Sequence, residues 1–217
     1  MTMKTRPDHL PPALARPLQR LKTPLQIQAF ITAMPPNFEP DGDTVLSVQR
    51  ALTENRCHCI EGAMIAAYAL WLNGEPPLLM DMQSHNDSDH VVALFKRQGC
   101  WGAISKSNHV WLRYRDPVYK NLRELAMSYF HEYGDGVRRT LRTYSRPYDL
   151  RRLQPAQWIT NPDQCWDVAL AIDGSRHYQL LTPAQARALS TRDAFEVKAH
   201  ELCEFTPPRR KNSRSKA

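Results

Sequence analysis

The chain has 217 residues, 42% of them hydrophobic, enough for one core and little beyond it. Its longest apolar run, Ala63 to Leu72, is too short to span a bilayer, and the start (Pro7, Pro11, Pro12) lacks the continuous apolar stretch of a signal peptide. The net charge of +7 sits at the ends, with five cations and no acid at 207–217 and five cations against one acid at 1–22, so the body between is slightly acidic. That argues against a globular nucleic-acid platform and for a cytoplasmic protein with five free thiols and no membrane contact, in which only the basic tail offers nucleic acid a surface.

Residues 1–22 read as a flexible, proline-punctuated arm, 23–205 as a single domain best supported over 23–150, and 206–217 as a disordered basic tail. Thr23-Pro24 is a helix start, with threonine as cap and proline at the first helical position. That helix runs to about Ala33 with Ile27, Phe30 and Ile31 inward, and Pro35-Pro36 ends it. Asp43 or Thr44 caps a second helix bearing Val45, Val48 and Leu52. A third opens at His58-Cys59-Ile60-Glu61, carries Ala63, Ala66, Ala67, Leu70 and Trp71, and stops at Asn73-Gly74.

Leu78 to Met82 follows as a short buried strand and Gln83 to Asp89 as a polar loop. Val91 to Phe95 and Trp101 to Ile104 are two more strands, joined through Lys96 to Cys100 as a hairpin. Leu122 to Tyr133 reads as a helix, and Thr182-Pro183 starts another that runs through Leu189. Val168 to Ile172 and Phe195 to Ala199 read as strands, and residues 150–205 either complete the sheet or form a lid.

Cysteine chemistry is concentrated at Cys59. A thiol in the first turn of a helix feels the positive end of the helix dipole, which favours the thiolate, and unpaired N–H groups there can hold an oxyanion. His90, following Asp89 at the mouth of an apolar strand, can be brought to that sulfur by a helix-then-hairpin layout and act as base. A hairpin turning near Gln98 places His90 opposite about Lys106, which brings Ser105, Ser107 or Asn108 close. Asn108 has the best chemistry to orient the ring, because an amide oxygen can accept from the imidazole N–H.

Glu61 caps the helix start or satisfies nearby donors, Asp81 ends a buried strand and pairs with an arginine of Arg113-Tyr114-Arg115, and Asp89 is a turn residue. Cys57, His58, Cys59, His85 and His90 are zinc-ligand types, but they lack a CxxC knuckle, so no metal is expected. With neither a P-loop nor a GxGxxG, no cofactor is expected either.

These segments resemble a bacterial group of transglutaminase-like proteins with the papain-like cysteine fold. The resemblance covers roughly residues 25–150. It is carried by Cys57-His58-Cys59-Ile60-Glu61-Gly62-Ala63, Pro77-Leu78-Leu79-Met80-Asp81 and Asp89-His90-Val91-Val92-Ala93-Leu94. Trp101 to His109, Leu112 to Tyr119 and Arg123 to Phe130 extend it. It implies an α+β fold in which N-terminal helices, the nucleophile helix among them, pack on an antiparallel sheet.

It also implies Cys59 as nucleophile and His90 as base; Glu61, Asp81, Asp89 and Trp101 are the candidate supporting residues. Cys57 stands where a small residue is expected. At the third position the family's aspartate is replaced by Ser105, which cannot stabilise an imidazolium as a carboxylate does. The expectation is an amidase, peptidase or acyl transferase working on an amide- or acyl-bearing substrate, peptides included. A catalytically inactive binding module of the same fold and a basic-tailed nucleic-acid or protein binder are the alternatives.

Overall fold

A computed structural model describes residues 9–206. The chain is α+β, with helices packed around one antiparallel sheet. The first helix, α1 (Pro12–Arg20), corrects the expectation of a loose arm: Ala15 and Leu18 are buried against the core. Pro12 opens the helix at its first position, where no N–H is needed, whereas Pro17 lies inside it and supplies no N–H to the ladder. The basic tail expected at 206–217 lies outside the described residues except for Thr206.

Thr23 caps α2 (Pro24–Ala33), accepting from the Gln26 N–H while Gln26 reaches back to the Thr23 N–H. The cap expected at Asp43 or Thr44 falls instead at Ser47, which opens α3 (Val48–Glu54). Val45 and Leu46 stay extended because their backbone has other partners, Gln164 and Glu61.

The fourth helix, α4 (Cys59–Leu72), is apolar all round and buried on nearly every side, as a central helix must be. Its alanines let neighbours approach closely. At Gly62 the approach is closest: a Cβ there would lie 2.5 Å from the Cβ of Lys106.

The sheet is ordered β4-β3-β2-β1-β5-β7, with β6 pairing β1 (β1 Leu78–Ser84, β2 His90–Arg97, β3 Cys100–Ile104, β4 Arg115–Tyr119, β5 Leu141–Ser145, β6 Tyr148–Asp149, β7 His177–Gln179). Strand β2 is apolar without alternation because both of its faces are covered. Val91, Ala93 and Phe95 join the core around α4, and Val92 and Leu94 join a second core on the opposite face. The expected five-residue hairpin connection contracts to two residues: Arg97 pairs Cys100, and Gln98 and Gly99 both take positive φ, as a tight turn of this hand requires.

The expected helix over 122–133 is shorter, α5 (Leu122–Met127) followed by a 3-10 turn at Phe130–Glu132. Two expected strands are helices. Val168 to Ile172 lies in α7 (Trp166–Asp173), which follows the short α6 (Pro155–Trp158). Phe195 to Ala199 lies in α9 (Ala194–His200), beyond α8 (Pro183–Arg187). Asp193 decides the last case by capping the N–H groups of Phe195 and Glu196. Among the described residues no helix is long and apolar enough to cross a membrane.

Candidate active site

Cys59 occupies the first position of α4, and His90 the first position of β2. Both line a cleft of about 580 Å³ together with His58, Tyr133 and residues 106–109. Cys59 is half-buried as a residue, whereas His90 is only 5% exposed.

The hydrogen bonds assign the ring tautomers. Ser105 spends its single hydroxyl proton on the Leu112 carbonyl (2.7 Å) and so must accept from His90 Nε2, also at 2.7 Å. The Nε2–H is thereby fixed, and Nδ1 is left as the ring's acceptor. Ser105 is held in turn by Gln28, whose amide pairs with both its N–H (2.9 Å) and its C=O (2.8 Å).

A second imidazole, that of His58, lies beside the sulfur. His58 Nε2 donates to the Thr44 carbonyl (2.8 Å), and its Nδ1 lies 4.0 Å from Cys59 Sγ. Burial alone would raise the Cys59 thiol, but hydrogen bonds and charge from His58 and then His90 outweigh it and hold the thiol well below its ordinary range. The reverse holds for His58. Burial opposes its charge, yet the Cys59 thiolate, the Glu61 carboxylate and the Thr44 carbonyl push it up to about 9.

Glu61 is fully buried and ties this end of α4 to the preceding loop. It accepts from the N–H groups of His58 (2.9 Å) and Leu46 (2.8 Å), from Asn37 Nδ2 and from the Thr44 hydroxyl. Cys57 is also buried; its Sγ lies 4.0 Å from the Met34 sulfur, and burial pushes its thiol up to about 12.

The remaining predicted residues have other partners. Asn108 lines the cleft but does not orient His90: its amide pairs with the backbone N–H (2.8 Å) and C=O (2.9 Å) of Phe205 and anchors the C-terminal segment. Asp81 meets no arginine. It pairs with His177 Nε2 at 3.2 Å, while Arg113 and Arg115 are taken by Glu204 and Glu132. Burial first and then the nearby Asp89 raise the Asp81 carboxyl to about 6. Asp89 closes its own turn, accepting from the Ser84 N–H at 2.9 Å. Trp101 lies away from the cleft, with Lys96 stacked 4.1 Å over its ring.

Sequence reasoning missed His58, Gln28 and Tyr133. His58, weighed only as a zinc-ligand type, could have been found, since it caps the helix that Cys59 starts. Gln28 could not, because its partner lies 77 residues away. No protein-family model and no curated protein matches the chain.

Proposed function

We propose that this chain is a Cys-His enzyme of transglutaminase-like type, acting on an amide or acyl bond through a thioester at Cys59. One observation carries the reading: a cleft thiol in the first turn of a buried helix, whose ionised form both His58 and His90 favour, with the Nε2 of each ring held by an oxygen. That combination makes a thiolate at neutral pH.

The Cys59 thiolate attacks the acyl carbon, and the carbonyl π pair moves onto oxygen. First-turn N–H groups of α4, which lack intrahelical acceptors, face the developing charge. The C–N or C–O bond then breaks, and His90, whose Nδ1 took the thiol proton when Cys59 ionised, passes that proton to the leaving group. Water or an amine resolves the thioester, giving up its proton to His90.

Ser105 orients the ring as a neutral acceptor, which predicts slower chemistry than an aspartate would allow. The same residue favours the second reading, a binding module without turnover. Incubation with p-nitrophenyl acetate separates the two. The enzyme reading expects a burst of p-nitrophenolate stoichiometric with protein, an acetyl group on Cys59 by peptide mass spectrometry, and its release by hydroxylamine. No acetylation above that of a denatured control would refute it.

A further inference from the structure

Two buried tyrosines, Tyr129 and Tyr133, flank the 3-10 turn at Phe130–Glu132, and the fold treats them differently. Tyr129 donates its hydroxyl to the Arg113 carbonyl at 2.9 Å. Tyr133, 2% exposed, has a buried hydroxyl with no partner. Leaving such a group unpaired opposes folding, so an orphan beside a cleft points to an acceptor that arrives with a ligand.

Tyr133 lines the same cleft as Cys59 and His90, and its ring stands edge-on to the His90 ring, with centroids 6.4 Å apart. Its surroundings keep the phenol protonated. Burial first, then the negative charge of Cys59, Asp81, Asp89 and Asp87, raises it well above its usual range. A neutral phenol can donate to an oxyanion that forms at Cys59 in the shared cleft.

We propose that the Tyr133 hydroxyl is the second donor of the oxyanion hole and completes the one begun by the Cys59 backbone N–H. The inference rests on Cys59 being the nucleophile. When the thiolate adds to an ester carbonyl, the S–C bond forms and the C=O π pair becomes the oxyanion, which accepts from Tyr133 O–H and Cys59 N–H. Collapse re-forms C=O and expels the alkoxide or phenoxide. The hydroxyl keeps its own proton throughout. Alkylation of the same sulfur by iodoacetamide displaces iodide without forming an oxyanion, so it provides the internal control.

The test compares two rates at Cys59, acetylation by p-nitrophenyl acetate and alkylation by iodoacetamide, in the wild type and in Tyr133→Phe. Phenylalanine removes only an unpaired oxygen. The ratio of the two rates also does not depend on what fraction of the protein is folded. The expected result is an acetylation rate lower by about 10²-fold with alkylation within twofold of wild type. An unchanged ratio overturns the proposal, whether both rates hold (no role) or both fall together (Tyr133 serving the thiolate). A wild type that is not acetylated at all overturns instead the assignment of Cys59 as nucleophile.

Discussion

The cleft holds two Cys-His pairs, and they are built differently. At one end Cys59 starts a fourteen-residue helix, and both neighbouring rings have their far nitrogen pinned by an oxygen, so Nδ1 can take or give a proton to the sulfur. At the other end Cys203 Sγ lies 3.8 Å from His109 Nδ1, slightly closer than His58 is to Cys59. Yet that Nδ1 already donates to the His200 carbonyl at 3.0 Å, so it carries a proton and cannot accept one. No helix begins at Cys203. A short sulfur–nitrogen distance is therefore not enough; the hydrogen bond on the histidine decides whether the pair can ionise.

The sharpest break between the two ends is a cysteine swap. Cys59→Ala should abolish rapid iodoacetamide labelling at pH 7, and Cys203→Ala should leave it within twofold, as read by peptide mass spectrometry. Equal losses would mean that the two pairs do not differ. Next in size is Ser105→Ala, which frees the His90 tautomer. Acetylation should fall about 10- to 100-fold, short of the roughly 10⁴ lost when a triad carboxylate is neutralised.

His58→Gln keeps a donor for Thr44 but removes the charge beside the sulfur. The acid limb of the alkylation profile should then move up by about 1–2 pH units. An unmoved limb would assign the ionisation to His90 alone.

Smaller effects are expected in the supports. Gln28→Ala strands two buried backbone groups of Ser105 and should cost about 2 kcal/mol in chemical denaturation, with activity falling alongside. Asp81 is a pH effect whose sign is fixed by its raised carboxyl. The folded state binds a proton between about 6 and the ordinary 3.8, so this residue adds stability as pH falls through 6. Asp81→Asn should flatten the melting-temperature profile in that window, and an unchanged slope would remove Asp81 as its source. Asn108→Ala should be the mildest, leaving acetylation within twofold while exposing the chain near Phe205 to protease.

Much of this was legible in the sequence, for physical reasons. Thr23-Pro24 and Asn73-Gly74 are local signals, complete within a few residues, and the structure places helix ends there. The apolar run after His90 gave the strand and its register to within one residue, because a two-residue turn fixes the pairing. The failures lie where distant partners override local preference. Val168 to Ile172 has strand-like composition but packs as a helix against β1. Asn108 was the better orienter by chemistry, but Phe205, 97 residues away, holds its amide. At the site, the placement of Cys59 and His90 followed from element starts, whereas Gln28, Tyr133 and the Leu112 carbonyl that fixes Ser105 are tertiary contacts with no local trace.

The claim on which the rest depends is that Cys59 is ionised where an ordinary cysteine is not. Its direct measurement is the pH dependence of iodoacetamide alkylation, taken as the difference between wild type and Cys59→Ala. A midpoint well below the ordinary thiol value of about 8.5, with reactivity persisting at pH 6, is the expected result. A midpoint at or above that value would contradict it.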